Sequence, residues 1–448
     1  MWTDGEDAVS SRKEFLNGLP PEVRVMVYKM LPNADVLNMR LVNRLVKKEI
    51  DEYMDFHIIL DQSYRKFRQL CNFRIRSIKV NLLSRRINHG LHLSYPERVK
   101  KVIFDGLVSP ANLMKILTLC KHVQELVFTH ETLGFSDTPP VIRLWMKHAE
   151  TLKCLELQAG DQADAIQTEI YLQAFPSKCI EHEVDLEQLK RMKLTDFRFR
   201  DDVLFLNTPV KNIIVDLISR QTKLQVFHFH SPGDLTWKQL KELVTINVET
   251  ITDITINNLK AYRRSFLHRH ADLILHPSRR ADMECFSNCK KLKHLTLSCS
   301  PPPSMNPNQE EGIPLNLVNL QSLPSALETL YLRGFTFRMD EILTLTKYLP
   351  NLREFVLVDG GRIQYSVLIN GFLRNCHSLE FLNVRPVIAR GSSDSSWWKE
   401  IRALNLVFNY FMKVPFDIDD LDGLEARIRP EDRDWISTNI LEDTPTTY

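Results

Sequence analysis

Two groups of side chains carry types and spacings that could do chemistry. Cys285-Phe286-Ser287-Asn288-Cys289 is followed by His294 and Cys299, a run of soft ligands of the kind zinc takes. Its spacing matches no common four-ligand framework, and Cys289 falls where a repeat described below needs a small core residue. His228-Phe229-His230 puts two imidazoles on one face if the segment is a strand, but the sequence supplies no third ligand. His-Glu-x-x-His, Gly-x-Ser-x-Gly and a Gly-rich phosphate loop are all missing, and 14 Gly in 448 residues argues against a nucleotide-binding enzyme. The chain is therefore expected to bind and not to catalyse, with no metal and no cofactor.

The elements that would position such side chains show as an internal repeat. An apolar residue is followed by apolar residues three and five positions later. The copies are Ile75-Ile78-Val80, Val99-Val102-Phe104, Val123-Leu126-Phe128, Leu152-Leu155-Leu157, Leu189-Met192-Leu194 and Leu224-Phe227-Phe229. They continue as Ile251-Ile254-Ile256, Leu292-Leu295-Leu297, Leu327-Leu330-Leu332, Leu352-Phe355-Leu357 and Leu379-Leu382-Val384, with Ile401-Leu404-Leu406 as either a twelfth copy or part of a terminal helix. Most copies follow an apolar stretch of helical period, such as Leu113-Met114-Leu117. In three of them a Cys precedes the triplet by three positions: Cys120, Cys289 and Cys376.

A short strand after a helix, with a small buried residue at the joint, resembles the leucine-rich repeat over about residues 65–395. The resemblance implies an α/β solenoid with a parallel sheet on its concave face. It departs from the pattern where an Asn or Cys usually follows the strand: Glu131, Gly160, Ser300 and Gly360 stand there, so the side-chain ladder is doubtful and irregular repeats are expected. One repeat cannot bury its own face, so neighbours must stack. Side chains between and just after the triplet positions then point outward and form the predicted substrate surface: Lys101, Glu156, Lys193, His228, His230, Thr255, His294, Thr296, Tyr331, Arg333, Asn383 and Arg385. Mixed polar and aromatic side chains suit recognition of a protein.

Two stretches interrupt the rhythm. Residues 258–288 hold Arg263, Arg264, His268, Arg269, His270, Arg279 and Arg280, and residues 299–322 hold Pro301-Pro302-Pro303, Pro307 and Pro314. The basic stretch has only Tyr262 and Phe266 for stacking, so nucleic acid is not the expected partner. After the linker Gly391–Ser396, residues 396–448 read as a capping helix, with Trp397, Trp398, Leu404, Phe408 and Phe411, and an acidic tail from Asp417 to Asp443.

The first sixty residues differ. Leu19-Pro20-Pro21-Glu22-Val23, Val27, Met30-Leu31-Pro32, Asp35-Val36-Leu37 and Arg40-Leu41-Val42-Asn43-Arg44 give three short helices with more apolar surface than so small a unit can cover. Pro20 and Pro21 suit a helix start, Pro32 stops that helix, and Asn33 suits a second N-cap. Residues 15–56 resemble an F-box: Leu-Pro, an acidic residue, spaced aliphatics, an Asp-aliphatic pair and a closing Arg-x-Val-x-Arg. Val36 stands where Leu is usual and Asn43 where Ser or Cys is usual. The resemblance implies docking of the Skp adaptor, and through it the cullin and RING subunits of a ubiquitin ligase, by Leu19, Pro20, Val23, Val27, Leu31, Leu37, Leu41 and Val42.

Composition fits this. Hydrophobic content of 44% is globular, and no apolar run is long enough to span a membrane. The acidic start, Met1-Trp2-Thr3-Asp4, is not a secretory signal, and eight Cys without a dense framework suit the cytosol or nucleus. The net charge of +2 says nothing about partners, but from Arg65 to Lys101 every charged residue except Glu97 is basic.

Overall fold

Most of the apolar triplets end in a short strand because their last two residues alternate with other side chains at a period of two, which buries one side of a sheet. The computed structural model describes residues 18–41, 44–60, 74–81, 93, 95–105, 110–129, 148–159, 191–201, 208–230, 235–259, 280–299, 315–336, 338–358, 371–372, 375–385 and 424–427. The chain divides into two units, one from residues 1–160 and 173–192, the other from 161–172 and 193–448.

The first unit opens with helices α1 (Pro21–Met30), α2 (Asn33–Met39) and α3 (Arg44–Tyr53). Pro20 caps α1 and Pro21 is its first residue, where a missing N–H costs nothing. Leu31 turns extended before Pro32, as a residue preceding proline must. Pro32, not Asn33, is the cap of α2, since its fixed φ of −56° already leads into the helix and Asn33 is the first helical residue. Helix α3 packs against both α1 and α2. Tyr28, Val36, Val46 and Ile50 form their shared core.

Five parallel strands follow in the order of the chain: β1 (Phe56–Leu60), β2 (Ile75–Asn81), β3 (Lys101–Asp105), β4 (Glu125–Phe128) and β5 (Cys154–Ala159). Strand β1 is an addition to the predicted set. Its Phe56, Ile58 and Leu60 are buried in alternation, directly after the last helix. Helix α4 (Pro110–Leu119) is the return between β3 and β4.

The second unit holds β6 (Asp196–Asp201), helix α5 (Thr208–Ser219), β7 (Val226–His230), helix α6 (Trp237–Ile246) and β8 (Asp253–Leu259). Then come β9 (Arg280–Asp282), β10 (His294–Cys299), β11 (Leu315–Val318), β12 (Thr329–Arg333) and β13 (Phe335–Thr336). Helix α7 (Met339–Tyr348), β14 (Glu354–Val358), β15 (Phe381–Arg385) and β16 (Leu424–Arg427) complete it. Strands β6, β7, β8, β10, β12, β14 and β15 pair in parallel in that order, and β16 closes the edge antiparallel to β15. Strands β9, β11 and β13 form a separate small parallel sheet.

The architecture is an α/β fold of stacked repeats with long parallel sheets, as the leucine-rich-repeat resemblance implies. Three details correct the sequence reading. Of the triplet Leu189-Met192-Leu194, Met192 and Leu194 lie ahead of the strand; β6 buries Phe197 and Phe199, so the working triplet is Leu194-Phe197-Phe199. The stretches 258–288 and 299–322 are not wholly insertions. Each ends in repeat structure: β9 with the 3-10 turn Met283–Phe286, and β11 with the turn Leu320–Ser322, which bury Met283, Phe286, Leu317 and Leu320. Within the acidic tail, Leu424–Arg427 is a strand. The capping helix predicted around Trp397–Phe411 lies outside the described residues.

The inner rows of the second unit start with phenylalanines and continue mainly with aliphatic residues. Phe197, Phe227, Ile254, Leu295, Leu330, Phe355 and Leu382 form one row, and Phe199, Phe229, Ile256, Leu297, Leu332 and Leu357 the next. Rings pack from strand to strand, with centroids 6.2 Å apart for Phe197–Phe227 and 5.0 Å for Phe199–Phe229.

A polar ladder is present, but it precedes the strands. Gln221 Oε1 accepts from the Leu194 N–H at 2.9 Å, and Asn247 Oδ1 accepts from the Leu224 N–H at 2.8 Å. Asn247 Nδ2 donates back to the Gln221 carbonyl at 2.8 Å, joining the two turns. Cys120, Cys289 and Cys376 hold the matching joint in other repeats and are buried. Gly334 ends β12 at φ 71°, and a Cβ there would collide with the Cys299 carbonyl oxygen, so only glycine fits.

Candidate functional site

The outward rows of the second sheet follow from its register. Opposite the buried rows, Arg198, His228, Thr255, Thr296, Tyr331, Val356 and Asn383 run strand to strand. A neighbouring row carries Asp196, Val226, Asp253, His294, Thr329, Glu354 and Phe381. Of the predicted substrate residues, His228, Thr255, Thr296, Tyr331 and Asn383 thus share one row, and His294 belongs to the next. His230 pairs across from Arg200 and Asn257, and Arg333 and Arg385 both flank Val358. Asn383 is buried, His294 and Arg333 are exposed, and the others with described side chains are intermediate. In the first unit Lys101 lies on β3, ion-paired to Glu125 at 2.9 Å, and Glu156 lies on β5 in a row with Lys79, Ile103 and Val127.

Lys193 is the exception. It is exposed, but it precedes β6 and lies off the sheet, because the strand starts at Asp196. Arg198 and Arg200 occupy the outward positions instead. The signal was in the sequence: Asp196-Phe-Arg-Phe-Arg200 alternates strictly, which is a strand pattern.

The two histidines of the His228-Phe229-His230 run are engaged separately. His228 Nε2 lies 3.1 Å from Asp253 Oδ1, and His230 Nδ1 lies 2.9 Å from Asn257 Nδ2. Burial pushes the thiols of Cys120 and Cys285 up to about 12 and that of Cys289 up to about 11, so they remain protonated near neutral pH and are poor metal ligands. Cys299 is buried on β10, and His294 Nδ1 meets the Thr329 hydroxyl at 3.2 Å. Among the described residues no group of three or more His, Cys, Asp or Glu could hold a metal ion, and no helix is long and apolar enough to cross a membrane.

The residues just ahead of the outward rows differ in charge between the units. In the second unit Lys293, Glu328, Arg353 and Glu380 succeed one another, each N–H bonded to the preceding carbonyl at 2.7 Å. Their signs alternate: Lys293 meets Glu328 at 2.6 Å and Arg353 meets Glu380 at 3.1 Å. A hydrogen bond from Lys293 holds the Glu328 carboxyl below the usual range. In the first unit the same position carries Arg76, Lys100, Gln124 and Lys153, linked by 2.8 Å backbone bonds. No acid interrupts that basic row.

The N-terminal helices place the predicted docking residues mostly outward. Leu41 is 84% and Val23 40% exposed, and Leu19, Val27 and Leu31 are half-buried. Pro20 is exposed, Leu37 lies within α2, and Val42 lies outside the described residues. Met26, Met30 and Leu45 add exposed apolar surface beyond the predicted set. Val36 turns inward and is fully buried.

Beside their apolar core, these helices share a buried polar cluster. Arg24 and Glu49 form a buried ion pair, Arg24 Nε to Glu49 Oε2 at 2.9 Å, and the Tyr28 hydroxyl donates to Glu49 Oε2 at 3.1 Å. Arg24 also donates to the Leu19 carbonyl, which ties the Leu-Pro entry to the core. The Arg24 hydrogen bond, outweighing burial, lowers the Glu49 pKa. Burial and the Glu49 carboxylate push the Tyr28 hydroxyl up to about 12. The sequence reading missed this triad, whose members are 21 and 25 positions apart.

The geometry defines a repeat-built α/β protein with a long polar sheet face and, on separate helices, an exposed apolar surface. No protein-family model matches the chain, and no curated protein matches it. Among solved structures it is similar to the leucine-rich repeat-containing protein LegL7 from Legionella pneumophila, at 13% identity and a TM-score of 0.34, covering 71% of this chain and 97% of that one.

Proposed function

We propose that the chain is the substrate-receptor subunit of a Skp-cullin-F-box ubiquitin ligase. Helices α1 to α3 dock the Skp adaptor as an F-box, and the leucine-rich repeats hold a protein substrate on the outward sheet face. The observation that carries this reading is the placement of Val23, Met26, Met30, Leu41 and Leu45 in solvent, on helices whose own core is already filled by Tyr28, Val36, Val46 and Ile50. Surplus aliphatic surface on short helices is what a helical partner covers. The F-box pattern of residues 15–56 names that partner as the adaptor.

In this role the chain forms no bond itself. It raises the effective concentration of a substrate near a ubiquitin-charged enzyme. Co-purification tests the assignment. Replacing Leu19 and Pro20 with Ala should remove the Skp adaptor from the purified chain while substrate capture persists. Unchanged adaptor recovery would leave a repeat scaffold that binds protein without delivering ubiquitin.

A further inference from the structure

We propose that the first unit carries a pocket for a compact phosphate-bearing polyanion, formed where helix α3 meets the entry to β2 and the turn Pro96–Arg98. The cavity encloses about 460 Å³ and is lined by five cations: Arg44, Lys47 and Lys48 of α3, Arg74 before β2, and Arg98. Two carboxylates, Asp51 and Glu52, also line it. One of them is engaged elsewhere: Arg40 grips Asp51 with two nitrogens, at 2.5 and 2.9 Å. The cations therefore keep a surplus of positive charge directed at the cavity.

Two details favour an oxyanion over a diffuse counterion cloud. Arg74 Nε is buried and has no hydrogen-bond acceptor among the described residues; its nearest carboxylate oxygen, on Asp55, is 3.7 Å away. The Arg74 side chain as a whole is 28% exposed and lines the cavity, so its guanidinium offers a planar fork to a ligand oxygen there. Arg98 lies over the Tyr95 ring, 5.3 Å from guanidinium carbon to ring centroid, which fixes a second planar fork at the rim. The basic row Arg76, Lys100 and Lys153 belongs to the same unit. Such a field concentrates anions. The volume suits a small ligand and not a folded partner. The pocket uses none of the aliphatic docking residues, so it stands or falls apart from the ubiquitin-ligase reading.

The test is a calorimetric titration of the full chain with inorganic tripolyphosphate, at low and at physiological salt. The expected result is one saturable site, weaker at the higher salt. Lys47→Gln with Lys48→Gln, two exposed positions, should weaken it at least about tenfold with an unchanged melting temperature, since each lost charge contact weakens a multiply charged ligand severalfold. Arg98→Gln should weaken it again. Absence of saturable heat, several equivalent sites, or equal affinity in the lysine variant would overturn the proposal. A single-stranded oligonucleotide that binds the same residues more tightly than tripolyphosphate would replace the small anion by nucleic acid, and so also overturn it.

Discussion

Helices α1 to α3 and the repeats of the second unit use the same aliphatic residues in opposite ways. In the repeats the apolar side chains of the strands turn inward, and Phe227, Ile254, Leu295 and Leu330 have no exposed surface. Polar residues take the outward face. In the helices the central position is held by an ion pair, Arg24–Glu49 with Tyr28, while Met26, Met30 and Leu41 are left in solvent. A core built on apolar packing needs no partner. A small unit whose interior includes a buried salt bridge and whose surface carries methionine and leucine exposes apolar area, the kind of surface we propose a second protein covers. The difference separates residues packed into the fold from residues left in solvent.

The sharpest way to break this contrast is to truncate a repeat residue. Phe227→Ala should cost about 3 to 5 kcal/mol in denaturant unfolding, because it removes a ring packed between Phe197 and Phe229 and the neighbouring strands hold the cavity open. A cost under about 1 kcal/mol would mean the aromatic row is not a packed core. Asn247→Ala comes next. It orphans the Leu224 N–H and the Gln221 carbonyl, two buried groups, and should cost about 1 to 3 kcal/mol. An equally stable variant would show that the relocated ladder is ornamental.

Glu49→Gln tests the polar core of the helices. It should lower the melting temperature at neutral pH by leaving Arg24 without its carboxylate. The folded-state pKa of Glu49 is depressed from the ordinary 4.5, so its stabilisation is full above that value and is lost as pH falls through the depressed one. The gap between wild type and variant should therefore close in acid. A gap that stays constant from neutral pH into strong acid would remove the ion pair from the account. The smallest expected effect is in the exposed set. Met30→Ala and Leu41→Ala should each change stability by less than about 0.5 kcal/mol, as surface substitutions do.

Much of the repeat was legible because a buried strand writes its period into adjacent residues. Phe355 and Leu357, or Ile254 and Ile256, need no knowledge of what lies beside them. Strand β6 was misplaced because Leu194 belongs to two overlapping triplets, and only the alternation of Asp196–Arg200 decides between them. Strand β1 was hidden by directly continuing a helical segment. The small sheet of β9, β11 and β13 was hidden by the Arg- and Pro-rich stretches that lead into it. The residues after the strands made a polar ladder doubtful, whereas Gln221 and Asn247 supply one before them.

The site was less legible than the fold. The outward rows depend on cross-strand register between segments roughly 25 to 40 positions apart, so neither the alternation of Lys293, Glu328, Arg353 and Glu380 nor the basic run of Arg76, Lys100 and Lys153 shows in any local window. The helices were legible in outline through their prolines and aliphatic spacing. Their ion pair was not, since Arg24 and Glu49 read separately as two ordinary surface charges.

The central claim is that the aliphatic residues outside the helical core bind and do not fold. It is tested by measuring the affinity of the purified Skp adaptor for the wild-type chain and for Val23→Lys with Leu41→Lys, with an unfolding curve recorded on each. The account predicts superimposable unfolding curves and a loss of adaptor binding of at least about a hundredfold, the size of effect seen when an apolar anchor is replaced by a charge at an interface. Equal adaptor affinity in the two proteins, or a variant that fails to fold, would contradict it.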